Sequence, residues 1–180
     1  MKKMFSIALL FMAWQAGAQI KTATLQASGL TCSMCSKAIY KSLTAVVFVQ
    51  EVKSDIKNSS YSITFKEGSA VDFDALKKAV TDAGFSVAKF TASIQFSESE
   101  IKNDTHVKLD GKTFHFINIQ PQTLNGEKTV TLIDKNFLTA KEYKKYSKFT
   151  TMKCYETGVM ENCCTKKNGI TGERIYHVTI

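Results

Sequence analysis

Two groups of sulfur could do chemistry in this chain: Cys32 and Cys35, inside GLTCSMC at 29–35, and Cys154, Cys163 and Cys164, inside MKCYETGVMENCC at 152–164. Two cysteines separated by two residues at a helix start bring their sulfurs within a few ångströms. The exposed amides of the first turn favour thiolate over thiol. Two soft thiolates without a nearby histidine or carboxylate select soft ions, Cu(I) foremost, then Hg(II), Zn(II) or Cd(II). Zinc's tetrahedral shell would be half filled, whereas a two-coordinate ion that must be handed on is well served.

Cys32 and Cys35 have other readings. A disulfide between them is strained by so short a loop. A thioredoxin-like redox pair also sits at a helix start, but here one strand precedes the motif and the usual aromatic and proline flanks are missing. A pair of core cysteines does not suit the exposed turn expected of Gly29 and Thr31. Met34, between the two, is expected to face solvent or a docking partner in place of the metal. Lys37 and Lys41, one turn apart, read as a solvated face able to guide an acidic partner.

The elements that must position this pair follow from periodicity. Residues 21–28 alternate as a strand. Cys35, Ala38, Ile39, Ser42, Leu43 and Val46 keep helical spacing. Val52 to Ile56 and Tyr61 to Phe65 read as strands joined by a polar turn. A second helix starts at the cap Asp72 and stops at Gly84, and a last strand covers Phe85 to about Phe96. This order is the ferredoxin-like split βαββαβ arrangement.

GLTCSMC, the helix and strand pair after it, and DAGF at 82–85 closely resemble the heavy-metal-associated domain, over roughly residues 21–96. That family includes copper chaperones, N-terminal domains of copper-exporting ATPases and exported mercury-binding proteins. Leu30 stands where the family motif has Met, a packing residue there, and Ser54 falls at an inward position that the family fills with an aliphatic residue. The resemblance implies a metal held by Cys32 and Cys35, and a partner with thiolate ligands that donates or accepts it.

The start of the chain, MKKMFSIALLFMAWQAGAQI, has two lysines, an apolar stretch and small residues at Ala16, Gly17 and Ala18, which is the anatomy of a secretory signal cleaved after Ala18. Eleven apolar residues rise only about 16 Å as a helix, roughly half a bilayer core, so no stable membrane insertion is expected afterwards. Loss of Lys2 and Lys3 lowers the net charge from +8 to +6. The expected location is the periplasm or the exterior. In that setting thiols tend to oxidise, and five cysteines leave at least one sulfur unpaired, intermolecular or on metal. The composition, 44% hydrophobic with one proline and nine glycines, excludes collagen, coiled coil and a polytopic membrane protein.

Residues 97–104 turn polar and read as a linker between 19–96 and a small β-rich unit at 105–180, making the chain α+β overall. Val107 to Leu109, the Asp110-Gly111 turn and Thr113 to Ile119 form a hairpin. Thr129 to Ile133 is a strand. Thr139 and Glu142 are spaced as a capping box, with Leu138 and Tyr143 as staple, for a short helix to Phe149, and Arg174 to Ile180 is a closing strand. A small barrel or sheet is expected, in shape akin to oligonucleotide/oligosaccharide-binding folds. The basic face at Lys141, Lys144, Lys145 and Lys148 does not suit nucleic acid in an exported protein. Cys154 paired with Cys163 or Cys164 would staple an irregular loop. Alternatively Cys154, Cys163 and Cys164, with His115 or His177, would form a second soft-metal site. The chemistry throughout is binding and transfer, and no enzymatic activity is expected. The competing function is a thiol-disulfide oxidoreductase or sensor using Cys32 and Cys35.

Overall fold

A computed structural model describes residues 20–29, 33–162, 164 and 171–180. The expected signal segment 1–18 and two of the five cysteines, Cys32 and Cys163, lie outside the described residues.

The first half runs β1 (Ile20–Ser28), α1 (Ser33–Thr44), β2 (Val49–Asp55), β3 (Ser60–Phe65), α2 (Phe73–Asp82) and β4 (Ser86–Ile101). Its strands lie in the order β2-β3-β1-β4, antiparallel throughout, which is the ferredoxin-like topology. Alternation sets the faces: Ala23, Leu25 and Ala27 point into the core while Thr22, Thr24 and Gln26 face water. The cap expected at Asp72 is present, its carboxylate accepting from the Asp74 and Ala75 amides at 2.9 and 3.3 Å. Gly84 ends α2 with φ +87°, a conformation that a side chain would strain. Ser54, near the outer end of β2, is exposed, and only Val49 and Val52 of that strand are in the core; the register shift between Val49 and Glu51 puts those two on one face.

The second half runs β5 (Thr105–Leu109), β6 (Lys112–Phe116), β7 (Gln122–Leu132), α3 (Ala140–Tyr146), a 3₁₀ turn at Ser147–Phe149, the one-turn α4 (Cys154–Thr157) and β8 (Ile175–Thr179). Asp110 and Gly111 both take positive φ, +49° and +70°, as a tight two-residue hairpin requires. Thr139 caps α3 through the Glu142 amide at 3.3 Å.

The joint between the halves departs from expectation. The polar stretch read as a linker at 97–104 is mostly strand: β4 continues to Ile101, and β7 begins at Gln122, seven residues before the apolar run at Thr129, to pair with it. Phe96 faces Gly126 and Ser99 faces Leu124, so β4 carries one extra residue; Glu98 there takes φ +39°. This bulge breaks the alternation that a sequence reading relies on. The eight strands of the described residues therefore form one open sheet, β2-β3-β1-β4-β7-β8-β6-β5, in place of a separate barrel, with β6 and β8 parallel. One hydrophobic cluster runs through both halves. Phe73 at the start of α2 stacks edge-on against Phe90 (5.3 Å) and Tyr176 (5.1 Å) and lies 6.4 Å from Phe114. Arg174 joins Asp74 (2.8 Å) to Asp134 (3.0 Å).

β6 and β8 are covered on both faces. Phe114, Phe116, Tyr176 and Val178 join the cluster under α2, while the alternate residues His115, Ile175 and His177 meet the segment carrying Tyr155 and Cys154. Among the described residues no helix is long and apolar enough to cross a membrane.

Candidate metal centre

Gly29 leaves β1 with φ +84°, and α1 begins at Ser33. Cys35 is half-buried in the first helical turn, as its place in the motif requires. The turn is anchored from below. Tyr61 on β3, wholly buried, donates its hydroxyl to Ser36 Oγ at 3.0 Å and the Ser36 carbonyl at 3.3 Å. A hydroxyl under the residue next to Cys35 fixes the rotation of α1 on the sheet, a role that the aromatic-polar alternation of β3 did not disclose. Ile39 and Leu43 continue the same face into the core, both fully buried.

Met34 is 73% exposed and Lys37 and Lys41 are exposed, so all three face outward from the helix that carries the site. Among the described residues, the one place where three or more His, Cys, Asp or Glu ligand atoms converge lies elsewhere in the fold. Cys32 and Thr31 lie outside the described residues.

That other place joins His115 to Cys154, two of the residues read as an alternative soft-metal set. Cys154 opens α4 fully buried, with Sγ 3.5 Å from His115 Nδ1, and packs with Met160, Cys164 and Ile175. His177 lies beside His115, ring centres 5.0 Å apart. Of the staple expected from Cys154 to Cys163 or Cys164, Cys163 lies outside the described residues, and Cys164 is buried in the same cluster as Cys154. His106, which the sequence reading passed over, stacks on His115 at 4.2 Å. Burial, reinforced by neighbouring His177, lowers the His106 pKa while Asp104 raises it, and the net effect is a pKa below the ordinary histidine value. Burial first, then His177 and His106, lower His115 to about 2.

Such a histidine destabilises the fold in acid. The unfolded chain takes up a proton near pH 6.5 and the folded chain does not, so stability is intact above that pH and falls below it. The slope for His115 is up to about 1.4 kcal/mol per pH unit. Urea midpoints in EDTA should drop between pH 7.5 and 5.5; an unchanged midpoint would show that His115 is protonated in the fold.

Residues 24–86 match the heavy-metal-associated domain, and this part of the chain is such a domain. A probable copper-exporting P-type ATPase of Archaeoglobus fulgidus is 30% identical over 71 residues, which are 39% of this chain; the chain spans 9% of that relative's length. Among solved structures, oxidised MerP from Ralstonia metallidurans CH34 is 32% identical and aligns with 39% of this chain and 96% of its own, at TM-score 0.34. The yeast copper transporter domain Ccc2a, solved in apo and Cu(I)-loaded states, is 26% identical over 36% of this chain and 88% of its own, at TM-score 0.33.

Proposed function

We propose that the chain binds a soft metal ion, Cu(I) before Hg(II), Zn(II) or Cd(II), between the thiolates of Cys32 and Cys35, and passes it to a thiolate-bearing partner. The observation that carries this reading is the position of Cys35. It sits half-exposed on the first turn of α1, within the segment that matches the heavy-metal-associated domain, where helix amides favour anionic sulfur. The similarity to a copper-exporting ATPase over the same segment favours copper.

Transfer needs no enzyme. An incoming partner thiolate bonds to the ion while both protein sulfurs still hold it; one protein sulfur then leaves as thiolate, and a second partner thiolate bonds to the ion before the other protein sulfur leaves in turn. The ion is never released to water, and no electron changes hands. Met34, Lys37 and Lys41 are exposed on the helix that carries Cys35, offering an apolar contact and two positive charges to an acidic partner surface. We propose further that the protein is exported, its first 18 residues removed, and acts in the periplasm or outside the cell.

Reduced protein loaded with Cu(I) and passed through gel filtration should retain the ion and surrender it to a dithiol acceptor peptide within the mixing time. The metal-free protein should not accelerate insulin reduction. Rapid insulin reduction together with loss of copper on the column would instead establish a thiol-disulfide oxidoreductase.

A further inference from the structure

Three neighbouring strands place a histidine at one register position: His106 on β5 faces His115 on β6, and His115 faces His177 on β8. Cys154 meets this row from α4, and one ligand atom each from His106, His115 and Cys154 lies within 4.8 Å of the other two. The rings are oriented from behind. His115 Nε2 donates to Asp104 Oδ1 at 3.0 Å, so the neutral ring presents its Nδ1 lone pair to Cys154 Sγ. Likewise His177 Nδ1 meets Asp134 Oδ1 at 2.8 Å, so its Nε2 is turned into the core. His177 is wholly buried, and that nitrogen has no hydrogen-bond partner; neither has the buried Nε2 of His106.

Buried polar atoms left without partners are costly, on the order of 1–3 kcal/mol each, and one of the two, His106, belongs to the group that converges on the thiol. Carboxylates behind imidazoles whose far nitrogens converge on sulfur are what metal ligation needs. We propose that His106, His115 and Cys154 form a second, buried site for a borderline-soft transition-metal ion, zinc(II) or copper. A nitrogen-rich set with one thiolate suits these ions, and three protein ligands hold a resident ion where two thiolates hold a passing one. The chain Cys154–His115–Asp104 also has the connectivity of an activated nucleophile, but Cys154 and His115 are both fully buried and out of reach of a substrate.

This inference is independent of the exchange site, and its test removes that site. The full chain carrying Cys32→Ser and Cys35→Ser, kept reduced, is titrated with Co(II) as spectroscopic probe. One equivalent should bind with a thiolate-to-cobalt charge-transfer band, and Zn(II) or Cu(I) should displace it, the tighter competitor naming the ion. Cys154→Ser should abolish the band. Since Cys154 is buried and its replacement could disturb folding, His106→Gln, at a half-buried strand position, gives a second reading. It should weaken binding at least tenfold with an unchanged far-ultraviolet spectrum, and Asp104→Asn should cost about 10- to 100-fold. Absence of a cobalt band, or the same band and affinity in a folded His106→Gln chain, would overturn the site. Ready alkylation of Cys154, unaffected by zinc, would overturn it too and favour the nucleophile. A chain with only Cys154→Ser that still exchanges one Cu(I) would leave the proposed function standing whichever way this falls.

Discussion

Replacing both Cys32 and Cys35 by serine should remove one equivalent of exchangeable Cu(I) from the reduced chain. The wild type should hold that equivalent at sub-nanomolar Kd or tighter against a Cu(I) chelator, and the double variant should hold it no better than about 1 μM, a loss of roughly 4 kcal/mol or more. The size of the effect follows from donor type. A serine hydroxyl is hard and stays protonated at neutral pH, so it does not replace a soft thiolate on Cu(I). Either single replacement should be nearly as damaging, because one thiolate leaves a two-coordinate ion half bound. Oxidising the pair should have the same outcome, since the metal needs both thiolates. Fold stability should barely respond, Cys35 being at the surface end of α1, so the loss will appear in chelator competition and not in the urea midpoint. Equal copper retention by wild type and double variant would sink the assignment of this site.

The ferredoxin-like half could be read from sequence because each of its elements carries its own signal. Ala23, Leu25 and Ala27 alternate cleanly, Ile39 and Leu43 repeat at helical spacing, and Asp72 and Gly84 mark the ends of α2. The hairpin at Asp110-Gly111 and the cap at Thr139 are equally local and equally legible. What escaped was non-local. β4 beyond Phe96 and β7 before Thr129 are two polar strands that stabilise each other by backbone pairing, with a bulge at Glu98 that resets the alternation, so neither looks like a strand alone. The second cluster was hidden in the same way. His106, His115 and His177 are separated by up to 71 positions, and only the parallel pairing of β6 with β8 brings the last of them beside the others. Sulfur-rich composition pointed to Cys154, but Asp104 and Asp134, which orient the rings, carried no pattern to find.

A fragment ending at residue 96 should not reproduce the stability of the full chain, although it contains every element of the split arrangement and the matched domain ends at 86. The cut falls inside β4. It removes β7 and leaves the outer edge of β4 from Thr91 to Phe96 without its ladder, an open apolar-flanked edge of the kind that drives aggregation. It also strips Phe114 and Tyr176 from Phe73, Phe137 from Phe90, and Phe116 from Phe96, rings that are fully or almost fully buried in the whole protein. Full burial of one such side chain stabilises by about 1.5–3 kcal/mol, so partial exposure of three together removes several kcal/mol, comparable to the whole stability of a small domain. Asp74 loses Arg174 at the same time, and the carboxylate that Arg174 and Lys77 hold below its ordinary pKa against the opposing effect of burial keeps only the lysine. The full chain should accordingly unfold in one urea transition seen alike by tryptophan-independent probes such as far-ultraviolet dichroism and tyrosine fluorescence. The fragment 19–96 should show a midpoint well below it or a broad, uncooperative transition, and should aggregate at concentrations where the full chain does not. A fragment that unfolds cooperatively at the full-chain midpoint would mean that the shared sheet adds nothing to the metal-binding half, and that residues 97–180 are a passenger on it.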